Sequence, residues 1–416
     1  MRRLTLTSLL QVSLNERSIG TLVCLPSGSI TFSFNENYLN DPNRPVLSQS
    51  FFRPSGGIIP EASSTHGILP PFFSNLLPEG HMRDYLAERG GVKPHQEFKL
   101  IELLGKDLAG AVTVGPLAKA PILHSKADTK PAEAKKPLRF SLAGIQLKFS
   151  AIAGRCGGLT IPANGVGGDW IVKLPAQNYA HVPENEFAML HLAGKIGIPV
   201  PETQLIPLHQ IDGLPEMGVL SGSQALAVKR FDRLPNGRRI HSEDFAQVYN
   251  IYPSKKYEGV SFANMAGMIW TLTGEAGLRD FIRRLTFTTL IGNGDMHLKN
   301  WSFIYLDGRH PTLSPAYDLV STIPYLPNDQ LALTLGDTKD MKTITEVHFK
   351  KLAKKARVPE HLVLQSVRDT VDATFIAWNE HYKNYELPLA IRERIQKHMV
   401  SLALRPLVFG RKSPEL

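Results

Sequence analysis

Residues 285–303 read LTFTTLIGNGDMHLKNWSF, and the rest of the chain is interpreted outward from this stretch. Its first half has apolar side chains at helical spacing, continuing from Phe281 through Leu285, and Gly292 is placed to end that helix. The run from 301 to 306 has the composition of a strand that returns to the core. The spacing therefore predicts a buried helix, a polar loop and a strand.

The polar loop contains Asp295, His297, Lys299 and Asn300 within six residues. Asp295 and Asn300 are five positions apart, the offset that separates the catalytic Asp from the metal-binding Asn in protein kinases. Asp318, eighteen residues beyond Asn300, could supply a second carboxylate to the same metal. Together they predict a phosphoryl-transfer site, although Asp and Asn beside glycine also serve as ordinary turn caps.

Composition places the chain among soluble globular proteins. Its length of 416 residues predicts two or three domains, and contents of 43% hydrophobic and 20% charged residues are ordinary for a soluble globular protein. Cys24 and Cys156 lie far apart without a CxxC, so neither a disulfide framework nor a zinc site is expected, and a reducing cytoplasm fits. No run approaches the length of a membrane span. The chain has no GxSxG or HExxH, which disfavours a serine hydrolase and a zinc protease.

The net charge of +9 permits contact with nucleic acid without demonstrating it. One predicted helix carries a cluster of basic residues. A solvated face commonly explains such a run, so DNA contact is a secondary hypothesis. The cluster comprises Lys350, Lys351, Lys354, Lys355 and Arg357.

The first 115 residues predict a small α+β domain. Alternation of apolar and polar positions from 4 to 35 indicates an antiparallel meander. Helices are predicted from about 73 to 89 and from 95 to 104, and a strand over 111–114. Residues 116–137, rich in Ala, Lys and Pro, are predicted to form a linker.

Residues 138–231 predict a sheet-rich lobe. The turn Ala143-Gly144 would let backbone N–H groups approach a phosphate, although a plain hairpin explains it equally well. Lys173 interrupts an apolar strand. A lysine in such a position could contact nucleotide phosphates, or it could lie at a sheet edge and extend its ammonium to solvent. Glu186, in the first turn of a helix predicted over 184–197, could pair with Lys173 or interact with the helix dipole.

Strands predicted near 203–210 and 224–230 complete the sheet of this lobe, and Arg230 to Arg233 lead out of it as a kinase hinge does. Residues 232–416, which follow the hinge, predict a helical lobe. The order of turn, lysine, helix glutamate, hinge, Asp-x4-Asn and Asp predicts an α+β, bilobal protein-kinase-like fold, preceded by the small α+β N-terminal subdomain. The predicted helices span 245–249, 262–272, 278–291, 347–356, 361–378 and 387–404.

With these residues assembled, the chain resembles the HipA family of bacterial serine/threonine kinases, the toxins of type II hip toxin–antitoxin pairs. The resemblance covers essentially the whole chain. The matching segments are FFSNLLPEG at 72–80, SLAGIQLK at 141–148, IVKLP at 171–175, Asn185-Glu186, ALAVKRFDR at 225–233, GDMHLKN at 294–300 and SPAYD at 314–318.

The resemblance implies a role for each matched residue. Asp295 would be the catalytic base, Asn300 and Asp318 would bind Mg²⁺, and Ser141 would be autophosphorylated. Nucleotide contacts would come from a covering loop, a strand lysine, the hinge backbone and the catalytic region. Those residues are Ala143, Gly144, Ile145, Gln146, Leu147, Lys148, Lys173, Lys229, Arg230, Phe231, His297, Leu298, Lys299, Asn300, Tyr317 and Asp318.

The resemblance also implies partners and a location. ATP and Mg²⁺ would be required, the substrate would be a protein such as an aminoacyl-tRNA synthetase, and a small HipB-like helix-turn-helix antitoxin would link the chain to operator DNA. A homodimer within that complex is compatible with it, as is the bacterial cytoplasm. Lys229 departs from the acidic hinge residue of close relatives, and the eukaryotic GxGxxG, HRD and DFG strings are absent. A small-molecule kinase and a DNA- or antitoxin-binding module with a degenerate site are the alternatives.

Overall fold

The computed structural model describes residues 8–117, 148–153, 159–161, 168–214 and 220–405, and an antiparallel sheet lies at the amino-terminal end. The elements of this region are β1 (Ser8–Leu14), β2 (Arg17–Cys24), β3 (Ile30–Phe34), α1 (Glu36–Leu39), β4 (Glu61–Ser64), α2 (Pro71–Ser74), α3 (Gly80–Arg89), α4 (Glu97–Leu104) and β5 (Val112–Pro116). The strand order is β4-β3-β2-β1-β5. Alternation along β1 buries Leu10, Val12 and Leu14 on one face, as the sequence pattern predicts.

The single helix predicted from 73 to 89 is wrong. α2 ends at Ser74, and α3 begins only at Gly80, so a non-helical segment separates them. Pro78 lies in that segment, and a residue that precedes proline is disfavoured in the helical region of backbone space. Tyr85 of α3 packs edge-on against Phe149 of the next sheet, with 5.9 Å between ring centroids. The break in the helix thus orients α3 towards the rest of the molecule.

A second sheet follows. Its elements are β6 (Lys148–Ala153), β7 (Leu159–Thr160), β8 (Trp170–Lys173), α5 (Val182–Lys195), β9 (Thr203–Pro207), β10 (Ile211–Asp212) and β11 (Gln224–Lys229). The strand order is β10-β7-β6-β8-β11-β9. Helix α5 packs against β9 and β11 and buries Ala188, Met189 and Leu192. It begins two residues before the predicted start because Pro183 suits the first turn of a helix.

The remaining elements are mainly helical. They are β12 (His241–Asp244), α6 (Phe245–Val248), α7 (Phe262–Ile291), β13 (Ser302–Tyr305), β14 (Thr312–Leu313), α8 (Glu346–Ala356), α9 (Glu360–His381) and α10 (Leu389–Ser401). Gly274 has a non-helical backbone inside α7, which accounts for the break predicted between 272 and 278. Gly292, with φ of 66°, caps the helix in the left-handed conformation, as its position predicts. Across the described ranges, no helix is both long and apolar enough to cross a membrane.

A buried ionic cluster joins the amino-terminal region to the connector after β11. Asp107 Oδ1 lies 3.3 Å from Arg230 Nη1 and 2.8 Å from Arg233 Nη2. Asp232 accepts from Arg230 Nε at 2.9 Å and from the Gly110 amide at 2.8 Å. Burial alone would raise the pKa of Asp232, but its bonds with both arginines lower it. The predicted hinge is therefore held by contacts with the amino-terminal region.

Strand β12 makes a second contact with that region. His241 Nε2 donates to the carbonyl of Leu47 at 2.7 Å, since a carbonyl oxygen can only accept. Burial lowers the pKa of His241 to about 4, so the ring is neutral. The Glu243 carboxyl accepts from the Gln49 amide at 3.0 Å and from the Tyr305 hydroxyl. Burial raises the pKa of Glu243 to about 7 despite those donors.

The raised pKa of Glu243 predicts a pH dependence of stability. The folded state holds a proton on this group between about pH 4.5 and 7 that the unfolded state has lost, so stability falls as pH rises through that window. Over it we expect a loss of ~3 kcal/mol in the free energy of unfolding of the wild type. Glu243→Gln removes this loss. Urea unfolding at pH 5 and pH 8 tests it, and parallel pH profiles for the two proteins would contradict it.

Candidate active site

The site is built around Lys173, the last residue of β8. Its ammonium is buried and forms ion pairs with Glu186 on α5 and with Asp318. The predicted pair between Lys173 and Glu186 is therefore present. Burial by itself would lower the pKa of Lys173, but the two carboxylates outweigh burial and raise it. Lys173 consequently carries a fixed positive charge.

Asp318 meets this charge from the other side. Its carboxylate also accepts from Lys148 Nζ, at 2.9 and 3.2 Å, and its carbonyl accepts from Asn293 Nδ2 at 3.2 Å. Burial opposes ionisation, but the two lysines outweigh it and lower the pKa of Asp318. The backbone of Asp318 has φ of 54°, a left-handed conformation that non-glycine residues adopt mainly where the surroundings enforce it.

The loop after α7 is fixed by hydrogen bonds between its own polar groups. The Asp295 amide donates to Asn293 Oδ1 at 3.0 Å, and Asn300 Nδ2 donates to the Asp295 carbonyl at 2.9 Å. Gly294 is required after Asn293 because a Cβ there would lie 2.6 Å from the backbone carbonyl oxygen of Gln330. Asn293 thus connects the loop that carries Asp295 to the backbone of Asp318.

The Asp295 carboxyl reaches solvent. Partial burial raises its pKa, a hydrogen bond from Tyr257 lowers it in part, and the charge of Asp318 raises it further. The Tyr257 hydroxyl donates to Asp295 Oδ1 at 2.6 Å. Sequence reasoning missed Tyr257, because no short motif connects residues 257 and 295. The structure places Asp295, Asn300, Asp318 and Lys173 at one site.

The predicted adenine-contacting segment is partly engaged within the protein. The Lys229 amide donates to the Glu202 carbonyl at 2.8 Å, and the Arg230 amide donates to the Asp169 carbonyl at 2.7 Å. The Lys229 ammonium pairs with the Glu202 carboxylate at 2.9 Å and lies 5.8 Å from the centre of the Trp170 ring. Within the described part of the chain, the Phe231 amide donates to no backbone carbonyl, in contrast to the amides of Lys229 and Arg230.

The neighbouring predicted residues divide between lining and support. The rings of Phe231 and Tyr317 lie 5.8 Å apart, and the Tyr317 hydroxyl donates to the Lys299 carbonyl at 2.9 Å. His297 is buried, burial lowers its pKa to about 3, and its Nδ1 has no partner within the described part of the chain. Leu298 is fully buried, so any nucleotide contact from it would come through its backbone.

The Lys299 side chain faces the amino-terminal region. Its ammonium donates to the carbonyl of Asn75 at 2.8 Å and to Asp244 Oδ2 at 3.0 Å, and Glu79 Oε1 lies 3.5 Å away. Glu79 also pairs with Lys256 at 2.9 Å. Sequence reasoning gave Asn75 and Glu79 no role, although both lie in the FFSNLLPEG segment quoted for its resemblance.

Several predicted residues lie outside the described part of the chain. These are Ser141, Ala143, Gly144, Ile145, Gln146 and Leu147.

The donor set fits Mg²⁺. Where the chain is described, no group of three or more His, Cys, Asp or Glu side chains could hold a metal. Mg²⁺ usually takes only one or two carboxylates and completes its shell with water and phosphate oxygens. Asp318 supplies a carboxylate, and Asn300, whose amide nitrogen is engaged by Asp295, has its amide oxygen left for a metal.

The basic cluster on α8 forms an exposed face. Lys351 pairs with Asp337 at 2.6 Å, and Lys350 lies 3.9 Å from Glu360. These exposed pairs are typical of a solvated helix surface. Contact with DNA stays a prediction.

Comparisons with known proteins agree over nearly the whole chain. Family models described as the HipA-like C-terminal domain and the HipA N-terminal domain match residues 140–378 and 10–115. Y4dM of Sinorhizobium fredii, named as a candidate kinase, is 47% identical over 95% of this chain and 98% of its own length. The serine/threonine-protein kinase toxin HipA of Shewanella oneidensis is 29% identical over 77% and 78%, respectively.

A solved structure shares the fold. It is the Shewanella oneidensis toxin–antitoxin complex of HipA, HipB and operator DNA, in which one chain aligns with a TM-score of 0.72 and 24% identity over 94% of this chain and 96% of that one. The predicted α+β kinase-like fold is confirmed by this similarity.

The triad of Lys173, Glu186 and Asp318 predicts a stability difference between two lysines. Lys173→Met leaves two carboxylates without their buried partner and should cost about 3 kcal/mol in the free energy of unfolding. Lys148→Met, at a half-exposed ammonium on the same Asp318, should cost less than about 1 kcal/mol. Urea unfolding measures both, and equal losses would contradict the central role of Lys173.

Proposed function

The chain belongs to the HipA family, and from this membership we propose that it is an ATP- and Mg²⁺-dependent protein serine/threonine kinase that acts as the toxin of a toxin–antitoxin pair. The observation that supports this most is the ion-paired triad of Lys173, Glu186 and Asp318 beside the loop that carries Asp295 and Asn300. A lysine paired with a helix glutamate, next to an Asp-x4-Asn loop and a second Asp, is the arrangement of kinase active sites.

In the proposed reaction, Asp295 is the base. The acceptor oxygen attacks the γ-phosphorus of ATP, the bond from that phosphorus to the bridging oxygen breaks, and ADP leaves. The hydroxyl proton passes to Asp295, whose raised pKa makes it a better proton acceptor than an ordinary aspartate. Mg²⁺, held by Asn300 and Asp318, would neutralise charge on the phosphate oxygens.

Lys173 and its partners would position the nucleotide. The ammonium supplies a fixed positive charge for the phosphates, and Glu186 holds it in place from α5. Phe231 and Tyr317 form an aromatic pair beside the hinge, where an adenine ring could pack. The Phe231 amide is the hinge donor that we assign to the adenine edge.

Ser141 is the proposed site of autophosphorylation, on the strength of the SLAGIQLK segment that begins there. A phosphoserine would add about −1.5 to −2 charge beside the turn proposed to cover the ATP phosphates. Like-charge repulsion would then oppose nucleotide binding, so phosphorylation at Ser141 would inactivate the enzyme. The proposed external substrate is a translation protein such as an aminoacyl-tRNA synthetase.

A HipB-like helix-turn-helix antitoxin is the proposed partner, with operator DNA bound through it and a homodimer within the complex. The Shewanella oneidensis complex of HipA, HipB and operator DNA supports this assignment. The proposed location is the bacterial cytoplasm.

Loss of the Asp295 carboxylate tests the kinase assignment. Asp295→Asn should reduce phosphate transfer from γ-labelled ATP to Ser141 by roughly 10²- to 10⁴-fold, since the general base is removed. Asp307→Asn, at an exposed aspartate on the turn after β13, is the matched control and should retain full transfer.

Nucleotide binding provides the second readout. At ~100 times its Kd, Mg-ATP should stabilise both Asp295→Asn and the control by about 2.7 kcal/mol. Full transfer by Asp295→Asn would reject the assigned base. The absence of any stabilisation in unphosphorylated protein would favour a binding module with a degenerate site instead.

The proposed partner predicts conditional DNA binding. A gel shift with operator DNA should appear when the chain is mixed with a HipB-like antitoxin and should be absent or much weaker for the chain alone.

Replacing Lys354 and Lys355 with alanine tests the basic face of α8. A shallower salt dependence of the complex would place that face on DNA, and an unchanged one would leave it solvated.

A further inference from the structure

Tyr257 makes a contact that the proposed reaction does not use. Its hydroxyl donates to Asp295 Oδ1 at 2.6 Å, although the residue itself is 42% exposed. The ring packs edge-on against His297, with 5.0 Å between ring centroids. The Tyr257 hydroxyl is therefore hydrogen-bonded to a carboxylate oxygen of Asp295, the group that would accept the proton in the proposed reaction.

We propose that Tyr257 stands in for the acceptor hydroxyl at Asp295, and that a substrate must displace its side chain before the carboxylate can act. The inference rests on the proposed function, in which Asp295 is the base. In that reaction the base accepts a hydrogen bond from the incoming hydroxyl. A phenol that donates to the same carboxylate oxygen competes with serine, threonine or water for this position.

The chemistry of the phenol suits a blocking group. Burial and the neighbouring Asp295 carboxylate raise the pKa of Tyr257, so the hydroxyl keeps its proton and remains a donor. A hydrogen bond from a neutral hydroxyl to a carboxylate is stronger than one between neutral groups. Water, which brings no other contacts, would displace it poorly.

The surroundings allow the side chain to leave without moving the backbone. The Leu298 amide donates to the Lys256 carbonyl at 3.2 Å, and the Lys256 ammonium pairs with Glu79 at 2.9 Å, so the segment beside Tyr257 is anchored. Within the described chain, the Tyr257 hydroxyl has Asp295 as its hydrogen-bond partner and no second one. Displacement would break the packing of the ring against His297 and its contact with the Lys256 ammonium, which lies 5.7 Å from the ring centre, and the exposed edge of the residue gives the ring a path to solvent.

Tyr317 shows the alternative, a tyrosine that is structural. Its hydroxyl is shared between Ser302 at 2.5 Å and the Lys299 carbonyl at 2.9 Å. Displacing it would leave two polar groups to find new partners. Displacing Tyr257 leaves only the Asp295 carboxylate without its hydrogen-bond donor, and the substrate hydroxyl then supplies a new one.

The direct experiment measures access to Asp295 in the full chain without nucleotide or Mg²⁺. A water-soluble carbodiimide with glycine ethyl ester labels carboxyl groups, and peptide mass spectrometry gives the rate at each residue. Tyr257→Phe keeps the ring against His297 and removes only the hydroxyl, so Asp295 should label roughly threefold to tenfold faster. Asp307 serves as the internal reference, and Tyr252→Phe, on the same segment, should label Asp295 at the wild-type rate.

ATP hydrolysis with water as the acceptor is the second measurement. Tyr257→Phe should hydrolyse ATP roughly threefold to tenfold faster than wild type, with KM for ATP unchanged, because water reaches the base. The double variant with Asp295→Asn should lose that gain. A tyrosine that instead orients Asp295 for catalysis would give slower hydrolysis in Tyr257→Phe.

The two measurements separate this inference from the kinase assignment. Unchanged labelling of Asp295 in Tyr257→Phe, or slower hydrolysis, would overturn the proposed displacement even if the chain is a kinase. Faster labelling with no hydrolysis in any variant would support the displaceable contact and count against the kinase assignment. Tyr257→Ala, which removes the ring as well, should raise the labelling further, and its circular dichroism spectrum checks that the chain is folded.

Discussion

The ammonium of Lys173 between Glu186 and Asp318 is the interaction on which the site depends. A charge buried at the end of β8 would be costly alone, and the two carboxylates that offset this cost come from α5 and from the segment after β14. The same triad therefore holds three parts of the chain at one point. Asn293 extends the connection to the loop after α7, which brings Asp295 to the same place.

The amino-terminal region is attached at several places to the elements that surround this site. Asp107 holds the connector after β11, the segment at Leu47 and Gln49 holds β12, and Asn75 receives the ammonium of Lys299. The contact between Asn75 and Lys299 reaches the loop that carries Asp295, one residue from Asn300. The amino-terminal region therefore supports the proposed active site directly and is more than an appendage to it.

Local patterns in the sequence predicted the elements that depend on local chemistry. Apolar spacing predicted α7, Gly292 predicted its end, and the interruption of an apolar strand singled out Lys173. The single helix over 73–89 was wrong because apolar periodicity was given more weight than Pro78. The contacts of Tyr257 with Asp295 and of Asn75 with Lys299 join residues 38 and 224 positions apart, and periodicity reports burial without naming the partner.

The pKa values of two aspartates in one site shift in opposite directions, and this supports a division of roles. Asp318 faces the ammonium groups of Lys148 and Lys173, which lower its pKa and keep it ionised, as its proposed role in binding Mg²⁺ requires. Asp295 receives a hydrogen bond from a neutral hydroxyl, and burial raises its pKa although Lys256 and Lys148 act in the other direction. Environments that separate the pKa values of neighbouring carboxyl groups commonly distinguish a proton acceptor from a permanently charged partner. By this argument Asp295, and not Asp318, is the group suited to take a proton from the acceptor.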